Sequence, residues 1–178
     1  IYDANGARRG AGFNVLDVPK GLDNPVVVLT QLASGHILVT WENSTVAEEG
    51  LRYVVVNEAD NTTLVSERAM PGTDTADHYA QIVGLANGGW VLAKQDNSLT
   101  NDKDADLIFY DAAGNAVNSV ALDNNSTVDE RVPVIVRLTN GNIAVAYERE
   151  ISDNGQVFGI AVEIFDQGGG RVRVPTII

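Results

Sequence analysis

Short apolar runs separated by turn residues fill this chain, and they recur at a fixed spacing. The segment Leu32-Ala33-Ser34-Gly35-His36-Ile37-Leu38-Val39-Thr40-Trp41 aligns without a gap on Leu85-Ala86-Asn87-Gly88-Gly89-Trp90-Val91-Leu92-Ala93-Lys94. It aligns again on Leu138-Thr139-Asn140-Gly141-Asn142-Ile143-Ala144-Val145-Ala146-Tyr147, and both offsets are 53 residues. A second motif, an Asp or Asn closing an apolar run before a turn, recurs out of phase. Its copies are Asp3-Ala4-Asn5-Gly6, Asn57-Glu58-Ala59-Asp60, Asp111-Ala112-Ala113-Gly114 and Asp166-Gln167-Gly168-Gly169. Self-similarity at a period of about fifty residues marks a stack of small supersecondary units.

Each unit reads as strands and turns. Ser34-Gly35, Asn87-Gly88 and Asn140-Gly141 are hairpin signals between apolar runs. The out-of-phase motif supplies a second hairpin per unit, and no stretch sustains a 3.6-residue period. The pattern therefore predicts an all-β fold: tandem four-stranded antiparallel repeats of about 53 residues, arranged as propeller-like blades. In each blade strand A is followed by B, C and D. The expected organisation is a single domain with a partial repeat over 1–24 and full repeats over 25–77, 78–130 and 131–178. Residues Ile1 to Val18 would supply strands C and D of an unfinished blade. Strand A is apolar on both faces (Val26 to Leu29, Val134 to Val136), so it is expected to be buried on both sides. A β-trefoil is the alternative, because it also uses three four-stranded units, although it does not call for so apolar a first strand. Three blades are few for a closed ring, which leaves room for partner chains and a homo-oligomer.

The order apolar strand, Leu-x-x-Gly, apolar strand, Trp or Tyr, acidic loop, apolar strand, then Phe/Tyr-Asp-x-x-Gly resembles a repeat of large secreted bacterial exoproteins and adhesins of the calcium-dependent RTX type. The best copies are Leu85 to Ala93 with Ile108 to Asn115, and Leu138 to Tyr147 with Ile164 to Asp166. The resemblance implies a propeller-type repeat, export to the medium or the bacterial cell surface, and a non-catalytic binding or adhesion module stabilised by calcium. The first copy departs from the pattern, having Asn57 for the Asp and no Gly, and the glycine-rich calcium nonapeptide is absent.

Composition narrows the function classes. The chain has 178 residues, 24 acids against 12 bases, a formal charge of −12 and no Cys. Repulsion from phosphate disfavours nucleic acid and anionic bilayers. Disulfides and thiolate metal sites are excluded. No apolar run is long enough to insert in a membrane, and no leader pattern opens at Ile1.

The acids concentrate where the D-to-A and B-to-C connections should share one face. The former hold Asp23, Asp74, Asp77, Asp123, Asp129 and Glu130. The latter hold Glu42, Glu48, Glu49, Asp96, Asp102, Asp104, Asp106, Glu148, Glu150 and Asp153. Lys103, Arg131 and Arg149 are the bases expected near them. Asp102, Asp104 and Asp106 alternate as oxygens do in a loop that wraps calcium, so Ca²⁺ is the expected metal there. A solvated acidic loop explains the same spacing. His36 and His78 fall in different loop types and make a transition-metal site a poor fit. Glu42, Asp96, Glu148 and Trp41, at the ends of strand B, are the candidate ligand-binding residues, for a carbohydrate or another cell-surface ligand. No Gly-x-Ser-x-Gly, Walker loop or His-Glu-x-x-His occurs. The reading is non-catalytic. A homo-oligomeric propeller scaffold and a carbohydrate-active enzyme with paired carboxylates are the alternatives.

Overall fold

A computed structural model describes residues 2, 4–8, 26–42, 50–99, 102–123, 128–151 and 157–178, with backbone alone at Leu99 and Asp102. Three four-stranded antiparallel sheets follow one another along the chain. The first holds β1 (Val27–Gln31), β2 (Ile37–Glu42), β3 (Leu51–Val56) and β4 (Thr63–Ala69). The second holds β5 (Asp77–Gly84), β6 (Trp90–Leu99), β7 (Asp102–Tyr110) and β8 (Ala116–Ala121). The third holds β9 (Glu130–Arg137), β10 (Ile143–Glu150), β11 (Phe158–Phe165) and β12 (Arg171–Ile177). Each is a simple meander, and the first strands β1, β5 and β9 lie side by side. This is the propeller-like all-β repeat that the sequence predicts, and no helix occurs among the described residues. Of the partial repeat, an antiparallel bridge between Tyr2 and Arg8 is seen. The rest of its expected strands lies outside the described residues.

The turns explain the repeated glycines. Gly35, Gly88 and Gly141 take φ of 88°, 90° and 89°. Each closes the same four-residue turn onto Leu32, Leu85 or Leu138, at 2.9, 3.2 and 2.9 Å. A left-handed residue after a type I turn carries the twist of a hairpin. At the other hairpins the Asp is the anchor. Asp111 Oδ1 accepts the Ala113 and Asn115 amides, both at 2.9 Å, and Asp166 Oδ1 accepts those of Gly168 and Gly170, both at 2.8 Å. In the deviant first copy the turn is one residue longer, and Asn61 takes the positive φ of 62° in place of a glycine.

Two cores lie between sheets. Leu38, Leu51, Tyr53, Val55 and Met70 pack on Ala80, Ile82, Trp90, Leu92, Ile108 and Tyr110 of the second sheet. The other side of that sheet (Val91, Ala93, Ala105, Leu107, Phe109) packs on Ile135, Ile143, Val145, Tyr147, Ala161 and Phe165 of the third. Full burial of one such side chain contributes about 1.5–3 kcal/mol. The expectation that every first strand is buried on both sides is corrected: Val27 and Leu29 on β1 are 57% and 64% exposed, and Val134 and Val136 on β9 are 56% and 54% exposed. The reason is positional, since among the three only the second sheet has a neighbour on each side.

The first and second sheets meet through backbone at Gly84, where a Cβ would lie 2.4 Å from the Gln31 carbonyl oxygen. Gly84→Ala is expected to cost about 1–3 kcal/mol in urea unfolding. Native-like stability of that variant would mean that the strands do not approach so closely.

Candidate functional site

At the end of the sheets opposite the glycine turns, the first strands of the second and third sheets are bulged. β5 pairs with β6 at His78↔Gln95 and resumes at Gln81↔Ala93. β9 pairs with β10 at Arg131↔Glu148 and resumes at Val134↔Ala146. Within the slips sit Tyr79 (φ 55°) and Val132 (φ 48°), which are 53 residues apart. Left-handed backbone at an aromatic or β-branched residue costs about 1–3 kcal/mol and persists only where neighbours hold it. The holding groups are known. The Tyr79 amide donates to Glu42 Oε1 at 2.7 Å, and the Val132 amide donates to Gln95 Oε1 at 3.0 Å. Glu42 and Gln95 occupy the same place in successive repeats. The second strands of the first two sheets thus each carry a side-chain oxygen that grips the bulge of the next sheet. Glu148 is the third copy; it is exposed, and its side chain grips no strand among the described residues.

Beside the first grip lies a buried charge cluster. Lys94 Nζ reaches Asp77 at 2.5 Å, Asp106 at 3.4 Å and Asp96 at 3.7 Å. Asp77 is shut from solvent, with 1% of its side chain exposed. Burial opposes ionisation of Asp77 and Asp106 and holds both above the ordinary carboxylate range, in spite of the nearby ammonium. Burial also works against the Lys94 cation, but Asp77 outweighs it, with Asp106 and Asp96 adding, so Lys94 is held above its ordinary value. Asp96 is desolvated too, yet lies below the usual range because the Ser98 amide and hydroxyl and Lys94 favour its charge. In the next repeat the place of Lys94 is taken by Tyr147, whose hydroxyl donates to fully buried Glu163 at 2.7 Å.

Between the first two sheets a pocket of about 330 Å³ opens, lined by Val26, Glu42, His78, Tyr79 and Asn97. Glu42 Oε2 lies 3.4 Å from His78 Nδ1. Asn97 Oδ1 accepts from the Gln95 amide at 2.7 Å. The Tyr79 ring stands half exposed at the mouth, about edge-on to His78 at 6.5 Å. The pocket thus joins a carboxylate, an imidazole, an amide and an open aromatic surface. Such a set suits a small polar ligand with one apolar face.

The sequence candidates fall into place unevenly. Glu42 lines the pocket. Trp41 does not: it is 4% exposed and packs with Val54 and Val56, so as a ligand platform it is corrected to a core residue. The aromatic that is open is Tyr79. Asp96 is tied to Lys94 and to the Ser98 amide at 2.7 Å. Glu42, Asp96 and Glu148 belong to three different sheets, and of the three Glu42 lines the pocket. The turning loop expected at Asp102, Asp104 and Asp106 is corrected to strand: all three fall in β7, with Asp104 opposite Asp96 and Asp106 opposite Lys94. Among the described residues no group of three or more His, Asp or Glu is placed to hold a metal. Arg131 pairs with Asp129 and Arg149 with Asp123, so the acidic face is partly neutralised from within. Asp3, Asp23, Glu48, Glu49 and Asp153 lie outside the described residues. His78 and Tyr79 line the pocket and Asp77 and Lys94 form the charge cluster beside it, and a cation at position 94, where the other repeats have Trp41 and Tyr147, is the signal that points to this end of the second sheet.

No family model matches the chain, and no curated protein does. Among solved structures it is similar to an endo-arabinase from Bacteroides thetaiotaomicron, with 15% identity and a TM-score of 0.48 over 80% of this chain and 57% of that one. It is also similar to a GH43 endo-arabinanase from Bacillus licheniformis, with 13% identity and a TM-score of 0.47 over 83% and 56%. The chain therefore spans less than two thirds of either protein. At such identities the likeness is one of fold. Both of those proteins are enzymes and neither is an adhesin, which runs against the expectation of a non-catalytic adhesion module. The resemblance to RTX-type exoproteins extends to the repeat architecture alone.

Lys94→Met leaves Asp77 buried without its counter-charge and is expected to cost about 3–5 kcal/mol at neutral pH. A carboxyl whose folded pKa is raised favours the fold in its protonated form. Its contribution is present below the unfolded pKa and is lost as pH rises through the folded one. Removing the ammonium raises Asp77 further, so the deficit of Lys94→Met in urea melts should shrink as pH falls toward 4. A deficit that does not change with pH would contradict this.

Proposed function

We propose that this chain belongs to a carbohydrate-active protein and that the pocket between the first two sheets holds a saccharide. The single observation that carries the reading is the exposed Tyr79 ring, held in a left-handed bulge beside Glu42, His78 and Asn97. A sugar ring offers an apolar C–H face and a rim of hydroxyls. Tyr79 suits the first; the carboxylate, imidazole and amide suit the second. Bulges frequently re-aim a side chain beside a functional site. The strain at Tyr79 is stabilised by Glu42, the residue that also faces the pocket.

Glycoside hydrolysis takes two carboxyl groups, about 5–5.5 Å apart for retention and about 6.5–9.5 Å for inversion. Glu42 is the carboxylate that lines the pocket among the described residues, and its contact with His78 suits it to proton transfer. Asp77 precedes His78 on β5, but its ion pair with Lys94 and its burial give it a structural role.

Calorimetric titration with neutral oligosaccharides, arabinan fragments among them, tests the reading. Tyr79→Ala should weaken binding about tenfold, equivalent to about 1.4 kcal/mol, whereas Trp41→Phe should leave it unchanged. Where the native protein releases reducing ends, Glu42→Gln should stop release while retaining binding. Absence of both binding and release across the panel would overturn the proposal.

A further inference from the structure

Gln95 is buried, and both ends of its side-chain amide are engaged. Its Oε1 accepts from the Val132 amide at 3.0 Å, and its Nε2 donates to Asn97 Oδ1 at 2.7 Å. The order of these two bonds is imposed from the third sheet. A main-chain N–H can only donate, so the end of the Gln95 amide that faces Val132 must be its oxygen. The NH2 is therefore turned toward Asn97, and Asn97 has to answer with its carbonyl. A buried amide left unmatched at either end would be costly, which locks the arrangement. Asn97 in turn lines the pocket between the first two sheets. With its oxygen held by Gln95, the polar group that it has left for an occupant is its NH2.

We infer that Gln95 is a positioning residue for this pocket: it sets Asn97 to present a hydrogen-bond donor, and not an acceptor, to the ligand. The inference rests on the proposed function and deepens it. Glu42 lines the same pocket with an acceptor. A ligand then has to offer a donor toward Glu42 and an acceptor toward Asn97, and saccharide hydroxyl groups are both. The comparison of Gln95 with Glu42 gives the reason for an amide at position 95. Glu42 holds Tyr79 through one oxygen, and its second oxygen lies 3.4 Å from His78 Nδ1. Gln95 holds Val132 in the same way, but its other end has to donate, which a carboxylate cannot do. An ionised glutamate here would keep the grip on Val132 and would turn Asn97 around, with its carbonyl toward the ligand. The third sheet thus acts on a pocket that it does not line, through one bulged amide and one buried glutamine.

NMR of the ligand-free chain tests the orientation. Scalar couplings across the hydrogen bonds should connect the Val132 nitrogen to Gln95 Cδ and Gln95 Nε2 to Asn97 Cγ. In Gln95→Glu the second coupling should reverse, from Asn97 Nδ2 to Glu Cδ, once the carboxyl carbon shift reports the ionised form. The protonated form, whose hydroxyl can donate to Asn97, should restore the native orientation. Asn97→Asp tests the consequence without a change at the buried position. The aspartate still accepts from Gln95, so the urea midpoint should hold, but it turns an acceptor to the ligand, and calorimetric affinity for neutral oligosaccharides should fall about tenfold. Should Gln95→Glu fail to fold, the native couplings and Asn97→Asp still decide. Native couplings in the opposite sense, an Asn97 unmoved beside an ionised carboxylate at position 95, or Asn97→Asp binding as tightly as the native chain would overturn the inference. Where no saccharide binds the native protein the proposed function falls, and the couplings alone decide how Gln95 sets Asn97.

Discussion

Face-to-face burial of thin sheets is the constraint on which the rest of this structure depends. A four-stranded meander has two sides and no thickness of its own, so its apolar residues leave water only when another sheet stacks on them. The second sheet, covered on both sides, contains Trp90, Leu92, Val91 and Ala93 at 2% exposure or less. The outer sheets share its sequence pattern and keep half of their first strands open. The same apolar alternation therefore gives a dry strand or a wet one according to what lies beside it.

That dependence sets how much was legible in the sequence. The 53-residue spacing, the glycine turns and the aspartate-anchored hairpins are local devices, set by backbone conformation and by hydrogen bonds within a few residues. Four strands per repeat could therefore be read directly. Burial on both sides of β1 and β9 could not, because it is a property of neighbours. The alternation at Asp102, Asp104 and Asp106 was ambiguous for a related reason: every second residue points the same way in a strand, and a wrapping loop can have the same spacing. Register decided it, by placing Lys94 opposite Asp106.

The candidate site shows a similar division. Glu42 was identified as a strand-end acid, but its role came from the bulge it grips, which belongs to another sheet. Trp41 was chosen for its chemistry and lost the role to burial. Tyr79 carries little signal in the sequence, because a left-handed tyrosine looks like any strand residue until the ladder slips. Lys94 is the exception: a cation in a position that elsewhere holds an aromatic stands out against its own repeats. It also shows how one scaffold position is reused, as ammonium with Asp77 in the second sheet and as phenol with Glu163 in the third.

The two ends of the sheets are built on different terms. At one end the hairpins repeat with φ values within a few degrees, and Gly84 brings main chain against main chain. At the other, connections differ in length and polar character, and the bulges with their side-chain grips differ from copy to copy. A molecule made this way separates inheritance from innovation along a single axis. Its constant end fixes the pitch at which units stack, so residues at the opposite end are free to diverge without disturbing that stacking.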